Sequence, residues 1–166
     1  MAEIIRIVIL LIIALICILR RKDAIGGWLL FYFISMVLSM LIWLAVTIPA
    51  LPLLDPSAWN DKGRYALFLF TAISNDVLIM AQFIVSMMII SKRFRDWRYV
   101  NYLRIILLSQ IILSLIILPV DLSISPESVL LDVISTIAPA IWLSYFTFSK
   151  RVRSVYRDKD WVQRPA

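Results

Sequence analysis

The sequence predicts an all-α integral membrane protein with five transmembrane helices, its N-terminus outside and its C-terminus cytoplasmic. Three observations carry that expectation. Of 166 residues, 62% are hydrophobic and only 17% charged, far above the roughly 45–50% apolar content of soluble domains. The mean hydropathy of +0.91 comes from long runs of Ile, Leu and Phe, which excludes a disordered chain, a coiled coil or a soluble globule. Finally, the basic residues gather at alternate ends of those runs, as the positive-inside rule requires of a multi-pass chain.

A hydrocarbon core of about 30 Å takes roughly 20 apolar helical residues. Runs bounded by charge, proline or aromatic clusters place the spans near 3–20, 25–48, 64–91, 101–119 and 127–149. The first has a short uncharged core, Ile7 to Leu19, with Arg6 about one turn from its start, positioned to snorkel. No basic start precedes this run and no small-residue cleavage site follows it, while Arg20, Arg21 and Lys22 close it. It therefore reads as a retained anchor in preference to a signal peptide.

Orientation follows from counting cations. Arg20, Arg21, Lys22, Lys92, Arg93, Arg95, Arg98, Arg104, Lys150, Arg151, Arg153, Arg157, Lys159 and Arg164 fall on one side, fourteen in all, and only Arg6, Lys62 and Arg64 on the other. An odd number of spans is needed, and five meets it. The formal charge of +6 is then a leaflet address, since no aromatic-basic nucleic-acid module accompanies it. The economical division is an N-terminal anchor over 1–22, a four-helix bundle over 23–152 and a basic cytoplasmic tail over 153–166.

Two connections lie on the outer side. Pro49 to Trp59 carries three prolines in eight residues, which prevents a continuous helix and predicts a compact interfacial loop anchored by Trp59. Pro119 to Pro126 forms the second, and Ser125-Pro126-Glu127-Ser128 reads as the start of the last helix.

The chemistry available is narrow. A chain without histidine and with one cysteine, Cys17, holds no histidine metal or haem site, no Ser-His or Cys-His arrangement and no intrachain disulfide. No cofactor is expected. On the third span Thr71, Asn75, Gln82 and Ser86 fall within about 60° at 100° per residue, one polar stripe on an apolar helix. Lacking water, these groups should seek partners such as Gln110 and Ser114 on the fourth span or Ser35 and Ser39 on the second. Asp76 is the foremost candidate, because a carboxylate well inside a span must be paired, hydrated or protonated. Asp132, one turn into the fifth span, would make a shared ion or proton site with Asp76, Asn75 and Gln82 if the two helices face each other. Arg104 reads as a snorkelling residue, and Trp28, Trp43, Trp97 and Trp142 as interfacial belts. Lys92, Arg93, Lys150, Arg151 and Arg153 are the expected contacts for anionic lipid, at about 1 kcal/mol per basic residue.

Two short elements carry a resemblance. Ile25-Gly26-Gly27-Trp28-Leu29-Leu30 opens the second span, and Trp142-Leu143-Ser144-Tyr145-Phe146-Thr147-Phe148-Ser149-Lys150-Arg151-Val152 closes the last. In these the chain resembles the bacterial membrane-protein family called domain of unknown function 2569, whose members open with Gly-Gly-Trp-Leu and close with Ser-Lys-Arg-Val. The chain departs from that pattern at Ser144, Arg153 and Tyr156, where the family more usually has proline, lysine and phenylalanine. The resemblance covers about residues 22–157 and implies a four-helix membrane protein, to which the first span is an addition. It implies no catalytic or binding residue.

The functional expectation is a non-enzymatic accessory or scaffold subunit of a larger complex in the bacterial cytoplasmic (inner) membrane. Its partners would be lipid, anionic on the cytoplasmic side, and a larger membrane protein or further copies of itself; nucleic acid is not among them. The alternative is a small ion, proton or solute transporter or channel using Asp76 and the polar stripe. A weaker alternative is a membrane enzyme acting on lipid through Asp121, Glu127 and Asp132 at the outer face.

Overall fold

A computed structural model describes residues 12–13, 15–20, 25–91, 96–124 and 129–158, with the side chains at 46, 50, 120–124, 129–132, 134 and 135 left out. Every regular element among them is helical. Four long helices follow one another: α1 (Trp28–Ala50), α2 (Lys62–Ile90), α3 (Trp97–Ile124) and α4 (Val129–Phe148). A four-residue helix, α5 (Lys150–Arg153), then runs into a wide turn over Ser154–Asp158. Three helices are long and apolar enough to cross a membrane, over Trp28–Pro49, Lys62–Ile90 and Trp97–Pro119, and α4 contributes a shorter apolar stretch, Thr136–Phe148. Of the first expected span, 12–13 and 15–19 are helical, and 3–11 and 14 lie outside the described residues.

Local chemistry sets the ends. Gly27 has φ 58° and ψ −134°, a combination open to glycine and strained for any residue with a Cβ. Its N–H donates to the Cys17 carbonyl at 3.1 Å, which ties the preceding helical segment to the foot of α1. At the other end, α1 reaches Ala50 and gives way to two 3₁₀ turns, Leu51–Leu54 and Pro56–Ala58. Trp59 does hold this loop: its indole N–H donates to the Leu53 carbonyl at 2.8 Å and its ring lies 5.0 Å from that of Phe68. Asp61 caps α2 by accepting from the amides of Gly63 (2.8 Å) and Arg64 (3.4 Å).

One expected connection is corrected. The sequence placed a loop from Pro119, yet α3 continues through Pro119 to Ile124. Proline removes one backbone donor and does not by itself end a helix whose following residues keep their bonds; residues 125–128 lie outside the described set.

Packing is uneven along the bundle axis. The end nearest Arg20, Arg98 and Lys150 is here the basic end, and the other the far end. At the basic end Leu29, Tyr32, Phe33 and Met36 of α1, Ile89 of α2, Val100, Leu103 and Leu107 of α3, and Phe146 of α4 form one core. Val152, Val155 and Tyr156 join it from the segment after α4. The rings of Trp142 and Phe146 lie 4.9 and 4.8 Å from that of Tyr32 and close the ring of helices between α4 and α1. Among the described residues, α1 has no buried side chain beyond Met36, α2 none before Gln82 and α3 none after Gln110. Among the described residues, the burial of α1, α2 and α3 is thus concentrated at the basic end, where the helices are sealed together.

Candidate functional site

Above the apolar core lies a chain of buried polar side chains. Ser86 of α2 and Tyr32 of α1 share a hydrogen bond of 2.8 Å. Gln82 Nε2 donates to the Tyr32 hydroxyl at 3.3 Å and lies 3.1 Å from Met36 Sδ. Gln110 Nε2 of α3 in turn donates to Gln82 Oε1 at 2.8 Å. Three helices are joined by four side chains, each no more than 8% exposed. Left without partners in hydrocarbon, such groups would cost more than the bonds return, so their pairing specifies which helix faces meet. The amide oxygen of Gln110 is buried without a hydrogen-bond partner.

The expected polar stripe thus divides. Its lower half, Gln82 and Ser86, faces protein, and the Gln82–Gln110 contact is as anticipated. Ser86 pairs with Tyr32 instead of a serine of α1, and Ser35 bonds its own backbone at Tyr32. Thr71 likewise donates to the carbonyl of Phe68, one turn back, at 3.0 Å. Asn75 is exposed.

Asp76 is held from α1. The indole N–H of Trp43 donates to Asp76 Oδ1 at 2.6 Å, with both residues half-buried. This bond is a contact of the kind an acidic side chain within a membrane helix needs. Asp132 falls in the first turn of α4 with its side chain outside the described residues, so the shared Asp76–Asp132 site has no described geometry. Among the described residues, no three His, Cys, Asp or Glu side chains lie together as metal ligands.

The family model described as "Protein of unknown function (DUF2569)" matches residues 22–157 of this arrangement, from just before α1 to the end of the turn after α5. The chain belongs to that family. No curated protein and no solved structure matches it.

Both elements that suggested this DUF2569 membership have a defined geometry at the basic end. The glycines form the strained turn before α1, with Gly26 buried. The Ser-Lys-Arg-Val element is a helix break. Ser149, at φ −66° and ψ 119°, ends α4, and its hydroxyl accepts from the Val152 amide at 3.4 Å to start α5. The break strands the last carbonyls of α4, and two arginines satisfy them. Arg104 donates to the Phe146 carbonyl through Nε at 3.2 Å and also through Nη2, and to Asn101 Oδ1 at 3.0 Å. Arg153 reaches the Thr147 carbonyl at 3.4 Å. Arg104 also lies 4.4 Å from the centre of the Trp97 ring, so its guanidinium is met by the end of α4 and by an aromatic face.

In this DUF2569 chain the expected lipid contacts separate. Lys150 and Arg153 are exposed and Arg151 half-buried, whereas Lys92 and Arg93 lie outside the described residues. Sequence reasoning missed Val152, Val155 and Tyr156 as core. Their signal was present, since apolar residues at i, i+3 and i+4 mark one helical face even within a basic run.

Proposed function

We propose that this protein is a non-enzymatic accessory or scaffold subunit of a larger membrane complex, a five-span chain of the bacterial cytoplasmic membrane with its N-terminus outside and its basic end on the cytoplasmic side. The observation that supports this reading best is how the intramembrane polar groups are used. Gln82, Ser86, Tyr32 and Gln110 bond helix to helix, and the core from Leu29 to Phe146 closes the basic end below them. Such an arrangement holds helix faces in register and offers no polar route through the basic half. Exposed apolar side chains along the outer faces, among them Ile42, Phe70, Val77, Ile105 and Ile116, suit lipid and the helices of a partner equally.

The test is gentle solubilisation of tagged protein from its native membrane, native-size analysis and mass spectrometry of what co-purifies. A stoichiometric larger membrane protein is expected. A partner-free protein with activity of its own would overturn the reading. One observation favours a second reading, small-solute transport: Asn75 is exposed in mid-helix beside Asp76. Solute flux into proteoliposomes that is lost in Asp76→Asn would promote it.

A further inference from the structure

Two guanidinium groups meet at the end of α4. Arg104 of α3 donates to the Phe146 carbonyl and Arg153 of α5 to that of Thr147. These are adjacent residues of the last turn, so both cations sit against one helix terminus and repel each other. A helix C-terminus offers about half a negative charge, against two full positive ones. Among the described residues neither arginine has a carboxylate partner; the described ion pairs join Arg64 to Asp61 and Arg157 to Asp158. Donors are left over as well. Of the five N–H groups on a guanidinium, the described bonds commit three on Arg104 and one on Arg153. Arg104 is half-buried, and its bonds to Asn101 and Phe146, with the Trp97 ring beside it, hold its fork in one place. Arg153 is exposed.

We infer that the end of α4, where the helix breaks at Ser149, binds the phosphodiester of one anionic phospholipid between Arg104 and Arg153. Planar guanidinium forks match phosphate oxygens in pairs, and one negative charge there relieves a repulsion that the helix end alone does not balance. The lipid source follows from what lies beside the site. Leu108, one turn deeper than Arg104 on the same side of α3, is 48% exposed, and Ile105 is 60% exposed. Both belong to a helix apolar enough to cross a membrane, so an acyl chain can run along α3 from the headgroup that Arg104 holds. A free phosphate gains nothing from that surface. The site also differs from diffuse attraction by a basic end: Lys150 is exposed directly after the break and takes no part in it. This goes beyond the scaffold reading, because it concerns one lipid molecule and stands with or without a protein partner.

Native mass spectrometry tests it on the full chain, purified in a delipidating detergent and titrated with phosphatidylglycerol or phosphatidylcholine of matched acyl chains. The first molecule of phosphatidylglycerol should bind about tenfold more tightly than phosphatidylcholine, the factor expected of one charge-assisted hydrogen bond. Arg153→Gln, a change at an exposed side chain, should abolish that preference. Arg104→Lys keeps the charge and loses the fork, and should weaken phosphatidylglycerol binding several-fold, whereas Lys150→Gln should change it little. In the parent protein, hydrogen exchange of residues 149–153 should slow when phosphatidylglycerol is added. Equal affinity for phosphatidylcholine, undiminished binding in either arginine variant, or a loss in Lys150→Gln as large as in Arg153→Gln overturns the paired site. Equal slowing of exchange by inorganic phosphate at the same concentration overturns the lipid source.

Discussion

The hydroxyl of Tyr32 is the atom at which Ser86 and Gln82 meet α1 in the buried polar chain, and Tyr32→Phe removes it alone. Its ring is fully buried, with neighbouring ring centres at 4.8 Å (Phe146), 4.9 Å (Trp142) and 5.4 Å (Phe33), and phenylalanine keeps those contacts. What is lost is the 2.8 Å bond with Ser86 and the 3.3 Å bond from Gln82. Interhelical hydrogen bonds in membranes average about 0.6 kcal/mol and reach about 1.7. Gln82 Nε2 would retain only the thioether of Met36, a weak acceptor. Two bonds and one poorly satisfied donor come to about 1–2 kcal/mol, or roughly a 5- to 30-fold larger unfolding constant. Tyr32→Ala, which also empties the aromatic cluster, should cost about 3–5 kcal/mol.

Reversible unfolding in mixed dodecyl maltoside and dodecyl sulfate micelles, followed by far-ultraviolet circular dichroism, measures both variants. A cycle with Ser86→Ala isolates the direct bond, and a coupling of about 0.5–1 kcal/mol is expected between the two sites. The reasoning is refuted if Tyr32→Phe is neutral and uncoupled from Ser86→Ala. It is equally refuted if Tyr32→Phe costs as much as Tyr32→Ala, for then the hydroxyl would be doing something other than bonding these two partners.

Three further outcomes follow from the geometry. Gly27→Ala should destabilise by about 1–3 kcal/mol in the same assay, because φ 58° with ψ −134° strains any side chain; an unchanged midpoint would mean that the turn relaxes freely. Arg104→Lys keeps the charge and loses the fork over the Phe146 carbonyl, so hydrogen exchange of residues 149–153 should quicken several-fold, and exchange as slow as in the parent would contradict the capping role. Asp55, whose carboxyl is held below its ordinary 3.8 mainly by the Ser57 amide and then by the Ser57 hydroxyl, stabilises the Pro56–Ala58 turn above that value. The contribution is lost as the pH falls through the lower, folded-state value; a nuclear magnetic resonance titration of the carboxyl with its midpoint at or above 3.8 would count against the contact.

Most of the helical layout was legible because it rests on length and hydropathy, which sequence carries directly. The ends of α1, α2 and α4 fall within a few residues of the boundaries read from charge and proline. Pro119 misled because a proline constrains the backbone locally, while whether a helix resumes beyond it depends on what the next residues pack against. The Gln82–Gln110 contact was legible for a different reason: two polar stripes in apolar helices have few partners other than each other. Tyr32 was not, since a tyrosine four residues after Trp28 looks like another belt residue. Only the position of the Trp142 and Phe146 rings turns its hydroxyl inward. The capping contact of Arg104 was not legible either, because the carbonyls it satisfies are freed only where Ser149 breaks a helix about forty-five residues later.

The divided fate of the stripe shows why helical phase alone does not decide what a polar residue does in a membrane protein. Asn75, Gln82 and Ser86 share one side of α2, yet one is uncovered and two are sealed. The deciding variable is depth relative to the bulky residues of the neighbouring helices. Tyr32, Phe146 and Leu103 fill the space between helices at the level of Ser86 and bring the helix axes to side-chain contact there. Beyond Met36 the inward positions of α1 pass to Ser39, too small to fill the same gap, and α1 next meets α2 where Trp43 bonds Asp76.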